Sequence, residues 1–277
     1  MNSPDKILIA LNTTEIPDSI FEFAITLSKI YKSQFVILHI FEERKKNDTT
    51  VDDKVNQFYD KKEKKGLKDT QHIIEYGDFI TTSLHIADDA GAKMILTESG
   101  NRDHNLEFLV PKIIRKTDLP VWCVKRNESQ NIQKILCPVD FSKTSRRAFT
   151  DAVRLAKDLK SELVVLTVSE PTESTSEFIN ESEKELNKEK LENESKHLDD
   201  FLNSVDTGNV NIKKDVRQGS TVDEIIEKIR AHNAGLLVIG SHARTGLERK
   251  LLGSVTENVV NNAPSSFLVI KSRSLFE

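Results

Sequence analysis

Lys134-Ile135-Leu136-Cys137-Pro138-Val139-Asp140 opens the stretch that decides the fold. Residues 135–139 and 163–168 are short, nearly continuous apolar runs with β-branched members, as strands buried on both faces should be. Between them residues 142–159 have helix periodicity, with Ala148, Ala152, Leu155, Ala156 and Leu159 on one face. Strands alternating with helices imply a parallel sheet built from right-handed βαβ units. The pattern predicts an α/β, doubly wound fold with five strands in each half of the chain and helices on both faces.

The halves follow from an internal repeat. Lys6-Ile7-Leu8-Ile9-Ala10-Leu11-Asn12 aligns with residues 134–140, and the same register carries Phe21 onto Phe149, Leu27 onto Leu155, and Lys32-Ser33 onto Lys160-Ser161. Further on, Gly77 matches Gly219, Met94-Ile95-Leu96 matches Leu236-Leu237-Val238, and residues 120–125 match 266–271. Solenoid periods are about 20–50 residues, so this repeat is a whole domain. The 277 residues suit two domains, each able to bury its own core. The polar residues 126–133 read as the linker, and the expected domains are 1–128 and 129–277.

Composition narrows the class. Charged residues at 30% and hydrophobic residues at 37% describe a soluble globular protein, and a net charge of -4 offers no electrostatic reason to bind nucleic acid. Cys123 and Cys137 sit in apolar runs, which favours buried thiols over a disulfide framework. The first residues lack an apolar signal region, and no run reaches the ~18 apolar residues of a membrane span. A cytoplasmic location is expected, with no membrane partner.

Function is most legible in Leu236-Leu237-Val238-Ile239-Gly240-Ser241-His242-Ala243 and the later Gly253-Ser254, which opens a helical run to Asn262. A helix start leaves N–H groups unpaired and carries partial positive charge, and glycine beside it lets an anion approach the main chain. The spacing is neither that of a G-x-x-x-x-G-K-[ST] loop nor that of G-x-G-x-x-G. Ordinary turn glycines are the competing explanation. In open α/β sheets ligands bind beyond the carboxyl ends of the strands, where strand order reverses. If the strands ending at Asp140 and Gly240 are neighbours, both residues border one crevice.

Pro138-Val139-Asp140, the loop Gly240-Ser241-His242-Ala243-Arg244-Thr245-Gly246, and Leu251-Leu252-Gly253-Ser254-Val255-Thr256-Glu257 resemble the universal stress protein family, whose nucleotide motif is G-x2-G-x9-G-[S/T]. The resemblance covers essentially the whole chain in two copies and is specific in the second. It implies a five-stranded parallel sheet of order 3-2-1-4-5 in each domain, domains paired through their last strands, and ATP, with or without Mg, in the second crevice. By that resemblance Asp140, led into by Pro138 and Val139, would hold the adenosine part, and the main chain at Val168 would meet adenine. Gly240, led into by Ile239, would surround the phosphates together with Ala243, Gly253, Ser254 and Val255.

Two departures from that pattern matter. Ala243 stands where the motif has its second glycine; a left-handed backbone there would cost alanine about 1–2 kcal/mol, whereas mere close approach tolerates a methyl group. The first half departs further: Asn12 replaces the aspartate, Glu98 falls where Gly240 falls, and Glu107-Phe108 falls where Gly253-Ser254 falls. A carboxylate repels phosphate, so the first domain is expected to have kept the fold and lost the nucleotide site. Pro111 is expected early in the following helix, where a missing N–H is harmless. The first domain's role is then a built-in structural partner, or a pocket for a different ligand.

Other features are ambiguous. Residues 173–205 read as an amphipathic helix on the sheet or a partner-binding helix, with Ser174 and Glu177 as a capping box. Residues 51–66, with the lysine run 61–65, read as its shorter equivalent. The seven histidines show no paired metal-ligand spacing, and no catalytic set can be assigned from order alone. His39 ends the second strand of the first half. Ser241, His242 and Arg244 are candidate phosphate contacts, and Arg249 and Lys250 could screen phosphate charge. The expected function is an ATP-binding stress-response regulator with an unidentified protein partner and an open question of homodimerisation. A weak ATP hydrolase and a nucleotide-free scaffold or carrier of another small ligand are the alternatives.

Overall fold

A computed structural model describes residues 3–42, 52–53, 55, 70–99, 106–125, 132–170, 181–241 and 252–276. The first half runs β1 (Lys6–Leu11), α1 (Asp18–Tyr31), β2 (Gln34–Phe41), β3 (Gln71–Tyr76), α2 (Phe79–Asp89), β4 (Met94–Ser99), α3 (Leu106–Lys116) and β5 (Val121–Lys125). The second runs β6 (Lys134–Pro138), α4 (Lys143–Leu159), β7 (Glu162–Ser169), α5 (Glu181–Asn203), β8 (Ile212–Gln218), α6 (Thr221–His232), β9 (Leu236–Gly240), α7 (Ser254–Asn262) and β10 (Ser266–Ile270).

The ten strands among the described residues join one sheet in the order β3-β2-β1-β4-β5-β10-β9-β6-β7-β8. Each half therefore has the 3-2-1-4-5 order, parallel throughout, and the halves meet where β5 and β10 pair antiparallel with Leu268 opposite Trp122. Strand alternation divides the core in two. Ile7, Ile9, Leu96, Trp122, Ile135 and Val238 face α1, α4 and α5, whose Phe23, Phe149 and Phe201 share that cluster. Leu8, Ile95, Leu136 and Leu237 face α2, α3, α6 and α7. Cys123 and Cys137 are buried as thiols rather than bridged.

The repeat register survives in the helix ends. α1 and α4 both stop at a left-handed lysine, Lys32 at φ 56 and Lys160 at φ 57. The amphipathic reading of α5 holds in its second half, where Leu198 and Phe201 are buried, but not at Leu186, which is exposed although it lies on the same apolar spacing. Its proposed capping box at Ser174, the lysine run 61–65 and the 128/129 boundary lie outside the described residues. Pro111 is a correction. It sits inside α3, which already begins at Leu106, so the proline removes an interior N–H rather than an orphan at the helix start.

Two lysines cross between the halves. Lys125, at the end of β5, donates from Nζ to the Ala263 carbonyl just past α7 at 2.8 Å. Lys271, just past β10, donates to the carbonyls of Ile114 and Thr117 at 2.7 Å and of Arg115 at 3.3 Å, at the end of α3. Each cation thus meets the partially negative end of the helix that precedes the other half's last strand. Burial holds the Lys271 pKa below its ordinary value. Lys271→Met keeps the aliphatic stem and strands the carbonyls, so it should cost about 1–3 kcal/mol. Denaturant unfolding with unchanged far-UV circular dichroism checks this; an unchanged midpoint would show the carbonyls satisfied elsewhere.

Candidate functional site

The site begins where β6 and β9 part. Their pairing runs through Ile135–Leu236 and Leu136–Leu237. Beyond that, β6 follows β7 as far as Pro138–Leu166, and β9 follows β10 as far as Gly240–Ile270. Neighbouring strands that separate toward their carboxyl ends make the crevice of a doubly wound sheet. The first half is closed further: β1 and β4 pair on to Ile9–Leu96, and the Thr97 hydroxyl then donates to the Ala10 carbonyl at 3.0 Å.

On the β6 side, the Val139 N–H bonds the Leu166 carbonyl at 2.8 Å and delivers Asp140, exposed, to the mouth. Asp140 Oδ1 accepts from the Ser142 N–H at 3.1 Å, and Ser142 Oγ caps α4 by accepting from the Ser145 N–H at 3.1 Å. Phe141 between them is left-handed at φ 61, uncommon for an aromatic residue. Its ring is held edge-on against Phe201 of α5, centroids 5.6 Å apart. Val168, half-buried near the end of β7, pairs with Arg217 of β8.

On the β9 side, Ile239 is buried and the Gly240 carbonyl accepts from Thr256 Oγ1 in the first turn of α7 at 3.0 Å. The Ser241 N–H bonds the Ile270 carbonyl at 2.8 Å, and its side chain is buried. Gly253 is the N-cap of α7 at φ -61 and ψ 143, with Ser254 exposed and Val255 half-buried behind it. That backbone is open to any residue, so a need for glycine here comes from close approach and not from torsion. A glycine cap brings no side chain to the first N–H groups of α7, which suits a bound anion. His242, Ala243, Arg244, Arg249 and Lys250 lie outside the described residues.

Asp140 thus lies on the β6 side of the parting, and Gly240 lies on the β9 side, tied through its carbonyl to the helix that Gly253 caps. Sequence reasoning missed Thr256, whose signal was a first-turn hydroxyl following Gly253-Ser254, and the capping role of Ser142. In the first half Glu98 and His39 are buried, 1% and 0% exposed, and strand alternation puts both on the α1 side of the sheet. His39 Nδ1 lies 2.5 Å from the Thr13 carbonyl. Burial, with a smaller contribution from His72, lowers the His39 pKa to about 4.

Comparison with known proteins agrees with the fold. The model of the universal stress protein family matches residues 131–271, just over half of the chain. The chain belongs to that family. Universal stress protein MJ0531 of Methanocaldococcus jannaschii is 33% identical over 153 residues, 53% of this chain and 86% of the relative. Universal stress protein MJ0577 of the same organism is 31% identical over 164 residues, 51% of this chain and 96% of the relative. Each is spanned over most of its length by about half of this chain. A solved structure of a functionally unknown protein, PA1789 from Pseudomonas aeruginosa PAO1, superposes with a TM-score of 0.73 at 18% identity, covering 97% of this chain and 93% of that one. It shares the fold along the whole length.

Proposed function

We propose that this universal stress protein is a cytoplasmic regulatory module that binds one ATP per chain in a second domain, residues 129–277. A first domain, residues 1–128, would act as its built-in partner. The observation that carries the reading is the parted β6/β9 crevice, with Asp140 at one lip and the glycine-capped start of α7 at the other. The phosphates would meet the first N–H groups of α7 and the adenosine part would lie toward Asp140. Pro138, Val139, Val168, Ile239, Ser254 and Val255 would line the same site, and magnesium would accompany the phosphates as it does in solution. Ser241, His242, Ala243 and Arg244, which follow β9 in the sequence, would contact the phosphates. Glu98, buried at the equivalent place in the first half, would repel phosphate there.

Mass spectrometry of denatured, freshly purified protein should release ATP, and calorimetric titration of stripped protein should give one site per chain. Two equivalent sites would overturn the assignment of the first domain, and none would overturn the reading as a whole. Steady phosphate release abolished by Asp140→Ala would instead make the protein a hydrolase.

A further inference from the structure

We infer that Gly240 serves nucleotide binding as a positioning residue: its missing side chain makes room for the first turn of α4, and through that turn it sets Asp140. This rests on the reading of a nucleotide in the second-half crevice and changes what one motif glycine does there.

The direction of the missing side chain is the first observation. Leu236 and Val238 belong to the core cluster on the α4 side, so alternation turns Gly240 to that side as well. A Cβ built on Gly240 would lie 2.9 Å from the Thr144 carbonyl carbon and oxygen and 3.0 Å from the Ser145 nitrogen. All three are backbone atoms of the first turn of α4, and they cannot swing aside as a side-chain tip can. The space that glycine opens is already filled by protein.

That turn is continuous with the Asp140 lip. Ser145 N–H bonds Ser142 Oγ, Ser145 Oγ donates to the Ser142 carbonyl at 3.1 Å, and Ser142 N–H bonds Asp140 Oδ1. Displacing the Thr144–Ser145 peptide therefore drags the cap, and with the cap the carboxylate. On its other side Gly240 is pinned, since its carbonyl accepts from Thr256 at the start of α7. A methyl group at 240 has one way out, which is to push α4.

The internal repeat supplies a natural control. In the shared register Asp140 matches Asn12 and Gly240 matches Glu98. α4 starts at Lys143, three residues past Asp140, but α1 starts at Asp18, six past Asn12. The first half lacks the turn that presses on Gly240. Pro17, the N-cap of α1, disfavours helix at Ile16 and keeps that turn unwound. Where the turn is absent the β4 position carries a full side chain, Glu98, facing the same side. The glycine and the extra turn occur together and are lost together.

The test is Gly240→Ala, titrated with ATP, ADP and AMP. A positioning role predicts one common loss for all three ligands, about tenfold, the worth of a hydrogen bond to a charged group. It also predicts little further loss when Gly240→Ala is added to Asp140→Ala, because coupled sites are not additive. A loss that grows with phosphate number, or full additivity with Asp140→Ala, would overturn the inference in favour of direct phosphate approach. Ser142→Ala, which cuts the same link without touching β9, should show the same phosphate-independent loss and serves if Gly240→Ala does not fold. If the parent protein binds none of the three ligands, the proposed function fails. The structural part of the inference, that Gly240 sets the first turn of α4, is then judged by amide exchange: faster exchange at Ser145 and Arg146 in Gly240→Ala supports it, and unchanged protection overturns it.

Discussion

Gly253→Val is expected to abolish measurable ATP binding while leaving the nucleotide-free protein folded and nearly as stable as its parent. At φ -61 and ψ 143 the backbone of Gly253 already lies where valine is comfortable, so the substitution brings no torsional strain. The helix loses only a modest N-cap preference, since neither residue supplies a capping oxygen and glycine is the better of the two by about 1 kcal/mol. What changes is access. An isopropyl group at the cap stands beside the first N–H groups of α7, and a phosphate can no longer reach them. Charge-assisted hydrogen bonds contribute about 1.5–3 kcal/mol each, so losing two of them weakens binding by about a hundredfold or more. Calorimetric titration of parent and variant, each checked by thermal unfolding without nucleotide, decides it. Parent-like affinity in a well-folded variant would mean that the phosphates bind elsewhere.

Gly253 and Gly240 look alike in the sequence, and the structure separates them. Gly253 caps a helix with an extended backbone. Gly240 faces α4, a contact between residues about a hundred positions apart that no local spacing reveals. The same distinction governs the rest of the fold. Strand–helix alternation and the repeat register were enough to anticipate two five-stranded parallel halves, because parallel strands buried on both faces write nearly continuous apolar runs. The placement of Asp140 and Gly240 on neighbouring strands follows from the strand order, which the family resemblance implied. Lys125 and Lys271 aligned with one another in the repeat, but their destinations stayed hidden, since each lysine's carbonyl partners lie in the opposite half. Pro111 misled for a local reason: proline marks a helix start only by preference, and α3 begins five residues earlier and accommodates it. The left-handed Phe141 was equally illegible, because an aromatic residue has no preference for that conformation and its ring contact with α5 joins residues about 60 positions apart.

The other large effect expected is acid destabilisation through His39. The ring is fully buried, with Nδ1 engaged by the Thr13 carbonyl, and desolvation lowers its pKa from the ordinary 6.5 to about 4. The folded protein therefore keeps this histidine neutral at pH values where the unfolded chain has already bound a proton. When the unfolded state binds more protons, stability rises with pH. The contribution is complete above pH 6.5, declines as pH falls from about 6.5 to about 4, and is flat below, where both states are protonated. A gap of two to three units corresponds to about 3 kcal/mol lost across that window. His72, whose pKa burial also lowers, adds a change of the same sign. Asp78 and Asp215 have lowered pKa values, so the stability they confer disappears at more acid pH and does not imitate this slope. His39→Asn retains a side-chain N–H near the position of Nδ1 and cannot titrate. Its unfolding free energy should be lower than that of the parent at pH 7, because the ring leaves a void, yet change much less between pH 7 and pH 5. Guanidinium unfolding of both proteins at half-unit steps would reveal the difference. Equal slopes for the two would show that the histidine is protonated in place in the folded protein.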